Sequence, residues 1–272
     1  MRSQSIAGWC ALVTGASSGI GAATARALAQ EGCNLVLVAR RRERLEALRA
    51  EILASVASPS PSCSSRSFPD LRIHTAVLDV RDAEAVSGLL DSLPAEFREV
   101  DILVNNAGLA LGVDGVSDLS VEDVETMVAT NCLALARLTR LCTPGMLARD
   151  RGHVVTMGSV AGSHHYGGGA AYCATKAFAL AFTNSARSDL VDSQVRVTLI
   201  SPGAVKTEFG KFGDVLAKVK SQTETVLKTI DGAETRSRAM GRALKKVEAL
   251  PDVQAQALIP ADKDFDQEPD AG

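Results

Sequence analysis

Thr14-Gly-Ala-Ser-Ser-Gly-Ile-Gly21 stands between a short apolar run, Cys10 to Thr14, and a segment of helical period, Ile20 to Gln30. That setting gives meaning to a glycine spacing that is weak on its own. Gly15 permits a tight turn, Gly19 lets backbone approach a pyrophosphate, and Gly21 lets the helix pack against the strand. The amino terminus of the helix presents free N–H groups to an anion, with Ser17, Ser18 and Ile20 around it. The spacing is G-x-x-x-G-x-G and no Gly-Lys-Ser/Thr follows, which excludes a Walker loop.

Outward from this turn, Val/Ile/Leu-rich runs recur at Leu35 to Ala39, Ile73 to Leu78, Asp101 to Val104, His153 to Met157 and Val195 to Ile200. Segments of helical period lie between them, at Arg42 to Leu53, Ala83 to Leu93, Val121 to Leu147 and Tyr172 to Leu190. Nearly continuous apolar runs predict strands buried on both faces, and the alternation predicts right-handed βαβ units. The expected fold is therefore α/β, three-layered and doubly wound, around a mostly parallel sheet of six or seven strands. Val253 to Ile259 reads as a seventh strand, after a segment read as a helix whose apolar face is Met240, Ala243, Leu244, Val247 and Leu250. Residues 1–261 read as a single dinucleotide-binding and catalytic domain. Within it, the Ser/Pro-rich stretch Ser55 to Pro69 reads as a mobile surface loop, and 209–233 as a substrate lid or an ordinary solvated helix. Residues 262–272 read as an acidic, disordered tail.

The chain has 272 residues, 46% apolar and 22% charged, with a net charge of −3. No stretch approaches the roughly 20 apolar residues that cross a bilayer, so no membrane partner is expected. The absence of a basic excess argues against a nucleic-acid partner. Asp262 to Gly272 carries a net −4, which leaves +1 for residues 1–261. Cys10, Cys33, Cys63, Cys132, Cys142 and Cys173 are dispersed without a C-x-x-C pair, and read as reduced thiols rather than metal ligands. The opening MRSQSIAGW contains no signal-like apolar region, so a cytoplasmic location is expected.

At the end of the second strand an acid would accept hydrogen bonds from adenosine ribose hydroxyls and repel a 2′-phosphate. Here Ala39 is followed by Arg40, Arg41 and Arg42. That favours NADP over NAD, with Arg40 and Arg41 on the phosphate and Arg42 starting the helix. Tyr172 and Lys176 are four residues apart, so on a helix both project from one face. A phenol titrates near pH 10, and a neighbouring ammonium favours its phenolate. Ser159 follows the fifth strand, where its hydroxyl can bond a substrate oxygen. His164 and His165 lie between these groups and are read either as pocket lining or as loop solvation. A serine hydrolase is excluded, because Met157 and Ala161 stand where G-x-S-x-G needs glycines.

TGASSGIG at 14–21, NNAG at 105–108, Asn131, GS at 158–159, YCATK at 172–176 and PGAVKTEF at 202–209, in this order, resemble the short-chain dehydrogenase/reductase family. LPAEF at 93–97 and DILVNNAGLALG at 101–112 are similar to its NADP-dependent serine and 3-hydroxy acid dehydrogenase branch. The resemblance implies a Rossmann fold and a tetrad of Asn131, Ser159, Tyr172 and Lys176. In it Tyr172 is the acid/base, Ser159 orients substrate, Lys176 also binds the nicotinamide ribose, and Asn131 holds a water that links Lys176 to solvent. It further implies that Asp79 and Val80 meet adenine, that Asn106 lies by the adenosine ribose, and that Pro202, Gly203, Val205 and Thr207 contact the nicotinamide end. A homodimer or homotetramer built on the long helices is implied, although the region after Phe209 departs from the family pattern. The expected activity interconverts a small alcohol, such as a 3-hydroxy acid or a serine-like compound, and its carbonyl. A carbonyl reductase for bulkier ketones and a non-catalytic dinucleotide-binding regulator are the alternatives, the latter having no need of Ser159, Tyr172 and Lys176 together.

Overall fold

Strand β1 (Cys10–Thr14) is the centre of the sheet, pairing in parallel with β2 (Asn34–Ala39) on one side and β4 (Ile102–Asn105) on the other. Beyond them, β3 (Ile73–Val77) lies next to β2, while β5 (Gly152–Met157) and β6 (Val195–Ile200) extend the β4 side. The order is β3-β2-β1-β4-β5-β6 and every pairing is parallel, as the alternation of apolar runs predicts. The structure, a computed structural model, describes residues 5–57, 68, 70–112 and 114–203. Val205, Thr207, the 209–233 segment, the Met240–Leu250 helix, the seventh strand, the tail, Cys63 and most of the Ser/Pro stretch lie outside the described residues.

Side-chain alternation along β1 divides the core. Cys10 and Leu12 face one cluster, with Val86, Leu89, Leu138, Cys142 and Met146, while Ala11 and Val13 face the other, with Ala25, Ala29, Leu45 and Ile52. The first group comes from α3 (Ala83–Ser87), α4 (Leu89–Ser92) and α6 (Ala134–Ala148), the second from α1 (Gly19–Gln30) and α2 (Arg42–Ala57). Helices thus cover both sheet faces, which is why the central strands β1, β2 and β4 are apolar except at one end. No helix among the described residues is long and apolar enough to cross a membrane.

Three helix boundaries differ from the sequence pattern. Helix α2 runs on to Ala57, because the Ser55 hydroxyl donates to the Ile52 carbonyl (2.8 Å) within the helix and Val56 packs against the core. The 83–93 segment breaks at Gly88, with Asp82 capping α3 through the N–H groups of Glu84 and Ala85. The long 121–147 segment is α5 (Val121–Val128) and α6 joined by a π-helical turn, Ala129–Leu133, which contains Asn131. Periodicity alone does not reveal a single wide turn.

At the amino-terminal sheet edge the buried Asp101 carboxylate accepts from the Cys10 N–H (3.0 Å) and from Arg151 Nε and Nη2 (3.0 and 2.8 Å). It clamps β1 to β4 where the ladder begins. On β5, the His153 ring shares a hydrogen bond with Thr198 Oγ1 (2.9 Å), and burial, reinforced by Arg196, pushes its pKa down from 6.5 to about 4. Between these values the unfolded chain takes a proton that the folded protein refuses, so stability falls as pH falls through this window. The stabilisation is complete above pH 6.5. His153→Gln is expected to flatten the fall in urea midpoint between pH 6.5 and 4; an unchanged slope would contradict this assignment.

Candidate active site

The strand order reverses at β1, so the carboxyl ends of β1 and β4 diverge and leave a crevice, the usual ligand position in such sheets. Thr14 ties the two ends together. Its buried hydroxyl donates to the Val104 carbonyl (3.1 Å) and accepts from the N–H groups of Asn106 and Ala107 (both 3.0 Å). The Asn106 amide then donates to the carbonyls of Thr14 (2.8 Å) and Gly15 (3.4 Å), so NNAG and the glycine loop are one hydrogen-bonded unit. Gly21 is required by this unit rather than by packing of helix on strand. A Cβ there would stand 2.5 Å from both the Gly15 carbonyl oxygen and Asn106 Nδ2. Gly19 has φ +54° and nothing within 4 Å of an added Cβ, which leaves its backbone open to a ligand.

Above this loop lies a cleft of about 360 Å³. Of the positions expected to bind dinucleotide, Gly15, Ser17, Ser18, Ile20, Arg40, Arg41, Asp79, Val80 and Asn106 line it. Arg41 Nη2 donates to Ser17 Oγ (2.9 Å) and Ser18 Oγ (3.2 Å), while Arg40 Nη1 is 3.9 Å from Asp79 Oδ2. Ala39, also on the wall, provides no carboxylate to compete with a phosphate. Val80 is largely buried and belongs to the core as much as to the cleft. Open glycine backbone, the start of α1 and two exposed arginines fit a phosphorylated dinucleotide.

The remaining positions gather at the β4–β5 end. Asn131 Nδ2 donates to the Leu109 carbonyl (2.9 Å) and to Thr175 Oγ1 (3.0 Å), and its Oδ1 accepts from the Leu109 N–H (3.0 Å). The wide turn aims this amide across at the loop after NNAG. On α7 (Ala170–Asp189), Lys176 lies one turn beyond Tyr172, with Nζ 5.8 Å from the Tyr172 ring centroid. Nζ donates to the Met157 carbonyl (2.9 Å), and burial pulls the ammonium below its ordinary range, against a smaller opposing effect of Cys132. Ser159 caps the turn Val160–Gly162 by accepting from the Ala161 N–H (3.1 Å), which leaves its own O–H free to donate.

Between Asn131 and Lys176 is an internal cavity of about 10 Å³, also lined by Thr14, Asn105, Thr130 and Thr156. It has room for about one water and several polar partners for it. Asn105 donates to Thr139 Oγ1 (3.1 Å), and its buried Oδ1 has no partner among the described residues. Pro202 accepts from the Val160 N–H (3.1 Å), which holds the chain after β6 beside Ser159; Gly203 is exposed next to it. His164 and His165 are both exposed, with His164 Nδ1 sharing a hydrogen bond with Ser163 Oγ (3.0 Å), and neither lines the cleft.

Comparison with known proteins accords with this geometry. The chain matches the short chain dehydrogenase family over residues 9–213. It belongs to that family. It is 45% identical over 199 residues to an NADP-dependent 3-hydroxy acid dehydrogenase of Salmonella typhi, covering 73% of each chain. It is 38% identical over 262 residues to sulfoacetaldehyde reductase 2 of Chromohalobacter salexigens, covering 93% of this chain and 98% of that one. Among solved structures, the closed form of serine dehydrogenase complexed with NADP+ is similar at TM-score 0.64 and 43% identity, over 72% of this chain and 73% of that one. The chain is thus a short-chain dehydrogenase whose described residues contain a six-stranded parallel sheet.

Sequence reading passed over Thr14, Arg81 and the Leu109 and Met157 carbonyls. A threonine at the end of an otherwise apolar strand is the only one that leaves a trace. Thr14→Val removes the acceptor for two N–H groups and is expected to cost about 2–4 kcal/mol of stability. Chemical denaturation of the variant, with retention of wild-type stability as the contrary result, checks this.

Proposed function

We propose that the protein interconverts a small hydroxy acid and its carbonyl form with NADP(H), using Tyr172 as acid/base. The observation that carries the reading is the buried Lys176 ammonium one helical turn from Tyr172, beside a cleft whose far end holds Arg40 and Arg41. NADP, which the open glycine loop with Arg40 and Arg41 would hold, would supply the hydride exchanged with the substrate carbon. The protein's own residues do the rest. The free O–H of Ser159 donates to the substrate oxygen and fixes its position. Tyr172 gives the proton to that oxygen in reduction and removes it in oxidation. Lys176, held by the Met157 carbonyl, favours the phenolate electrostatically and would also hold the nicotinamide ribose. A water in the cavity between Asn131 and Lys176 links the ammonium to solvent, so that each turnover restores the proton.

The names of the three relatives share one chemical feature. A 3-hydroxy acid, serine and sulfoacetaldehyde each carry an acidic group on the carbon next to the reacting one. A small β-hydroxy or β-oxo acid anion is therefore the substrate class we infer here, in preference to a bulky ketone. Pro202 and Gly203, with Val205 and Thr207, serve the nicotinamide end. A homodimer or homotetramer is supported by the exposed apolar side chains of Val128, Leu133 and Phe178, the last stacked on Phe182 at 5.7 Å. Buried free thiols at Cys10, Cys33, Cys132, Cys142 and Cys173 suit a reducing cytoplasm.

Tyr172→Phe is expected to lower kcat about 10²–10⁴-fold, as loss of a general acid does, with NADPH binding retained. Normal turnover of the variant would overturn the assignment. Ala39→Asp combined with Arg40→Leu should reverse the NADP over NAD preference measured as the ratio of kcat/KM. Oxidation of 3-hydroxypropionate, serine and a hydroxyalkane sulfonate, set against simple secondary alcohols by absorbance of the reduced cofactor, tests the substrate class. Preference for the uncharged alcohols contradicts it.

A further inference from the structure

The adenosine end of the cleft contains a third guanidinium. Two residues beyond Asp79, Arg81 folds back onto its carboxylate. Arg81 Nε lies 3.1 and 3.0 Å from Oδ1 and Oδ2, Nη2 lies 2.6 Å from Oδ2, and the Arg81 backbone N–H donates to Oδ1 (3.0 Å). Arg40 Nη1 approaches the same Oδ2, at 3.9 Å, the outer limit of an ion pair. Asp79, Arg81, Arg40 and Arg41 all line the one cleft. The Asp79 carboxyl is held below its ordinary range, chiefly by the hydrogen bonds from Arg81, so it is an anion at neutral pH.

An anion in this place is a liability for an enzyme that binds a 2′-phosphate. An uncovered Asp79 would draw Arg40 onto itself and repel a group carrying close to two negative charges. The bidentate fork satisfies the carboxylate from within its own loop, so the distant and flexible Arg40 makes only the marginal contact. We propose that Arg81 is a specificity-determining residue that acts through Asp79: by covering this carboxylate it frees Arg40 for the 2′-phosphate of NADP. The inference rests on the NADP-dependent reading above and adds to it a residue that does not touch the phosphate. Its effect is on discrimination between NADP and NAD, which differ by that phosphate alone.

Calorimetric titration of the full chain, without substrate, with NADP and with NAD tests this. Arg81→Leu is expected to weaken NADP binding about tenfold or more and to change NAD binding less than threefold, with kcat at saturating NADPH within twofold of wild type. Arg81→Lys, which keeps the charge without the fork, should fall between. The deciding variant is Arg81→Leu in an Asp79→Asn background, where no anion remains to be covered and the loss for NADP should shrink below threefold. If the full loss persists there, Arg81 contacts the phosphate itself and the proposal is overturned. Equal weakening of NADP and NAD by Arg81→Leu also overturns it, as the mark of a role in shaping the loop only. A wild-type protein that binds NAD as tightly as NADP would instead overturn the cofactor reading, and this inference with it, before any variant is compared.

Discussion

Thr14 Oγ1 is the atom on which the cleft depends. In a doubly wound sheet the strands on either side of the switch point leave their carboxyl ends in different directions, and nothing in the ladder holds the loops there together. A single hydroxyl makes three hydrogen bonds across this gap, one to β4 and two to the loop that follows it. The Asn106 amide extends the tie to the glycine turn. The result is one hydrogen-bonded floor for a ligand, with exposed side chains around it.

From that floor two different electrostatic arrangements extend. At the Lys176 end the charge is buried: loss of water lowers the ammonium's hold on its proton, and one carbonyl contact keeps it beside Tyr172. At the adenosine end the charges are exposed and numerous, and the arginines are held by Ser17, Ser18 and Asp79. Burial suits a group that must act on one neighbour in a fixed geometry. Exposure suits groups that must release one partner to take another.

Much of this was legible in the residues, for physical reasons. The parallel sheet and its layers followed from short apolar runs that no helix-only or half-exposed sheet would carry, whereas the strand order did not. The glycine turn, the arginines after Ala39 and the Tyr172/Lys176 spacing were readable because each is local, with its chemistry set by neighbours within a few positions. What escaped were the contacts between distant segments: Asn131 with Leu109, Lys176 with Met157, Thr14 with the loop after β4. Backbone carbonyls look alike in every sequence, so no pattern marks the ones that hold a candidate site side chain. Gly21 shows a milder form of this. Its presence was readable, but the reason for it, a clash with the Gly15 carbonyl, lies in the folded loop.

The π-helical turn at Ala129–Leu133 has a consequence for how this chain tolerates change. Such a turn holds one residue more than the same turn of α-helix, within the helical stretch from Val121 to Ala148. Removing a residue upstream of Asn131 would close the turn into regular helix and swing the amide by about 100° relative to the Leu109 loop. Substitutions along this rod leave its register alone. Its length upstream of Asn131 is tied to the phase of that one amide, so a deletion there moves what a replacement leaves in place.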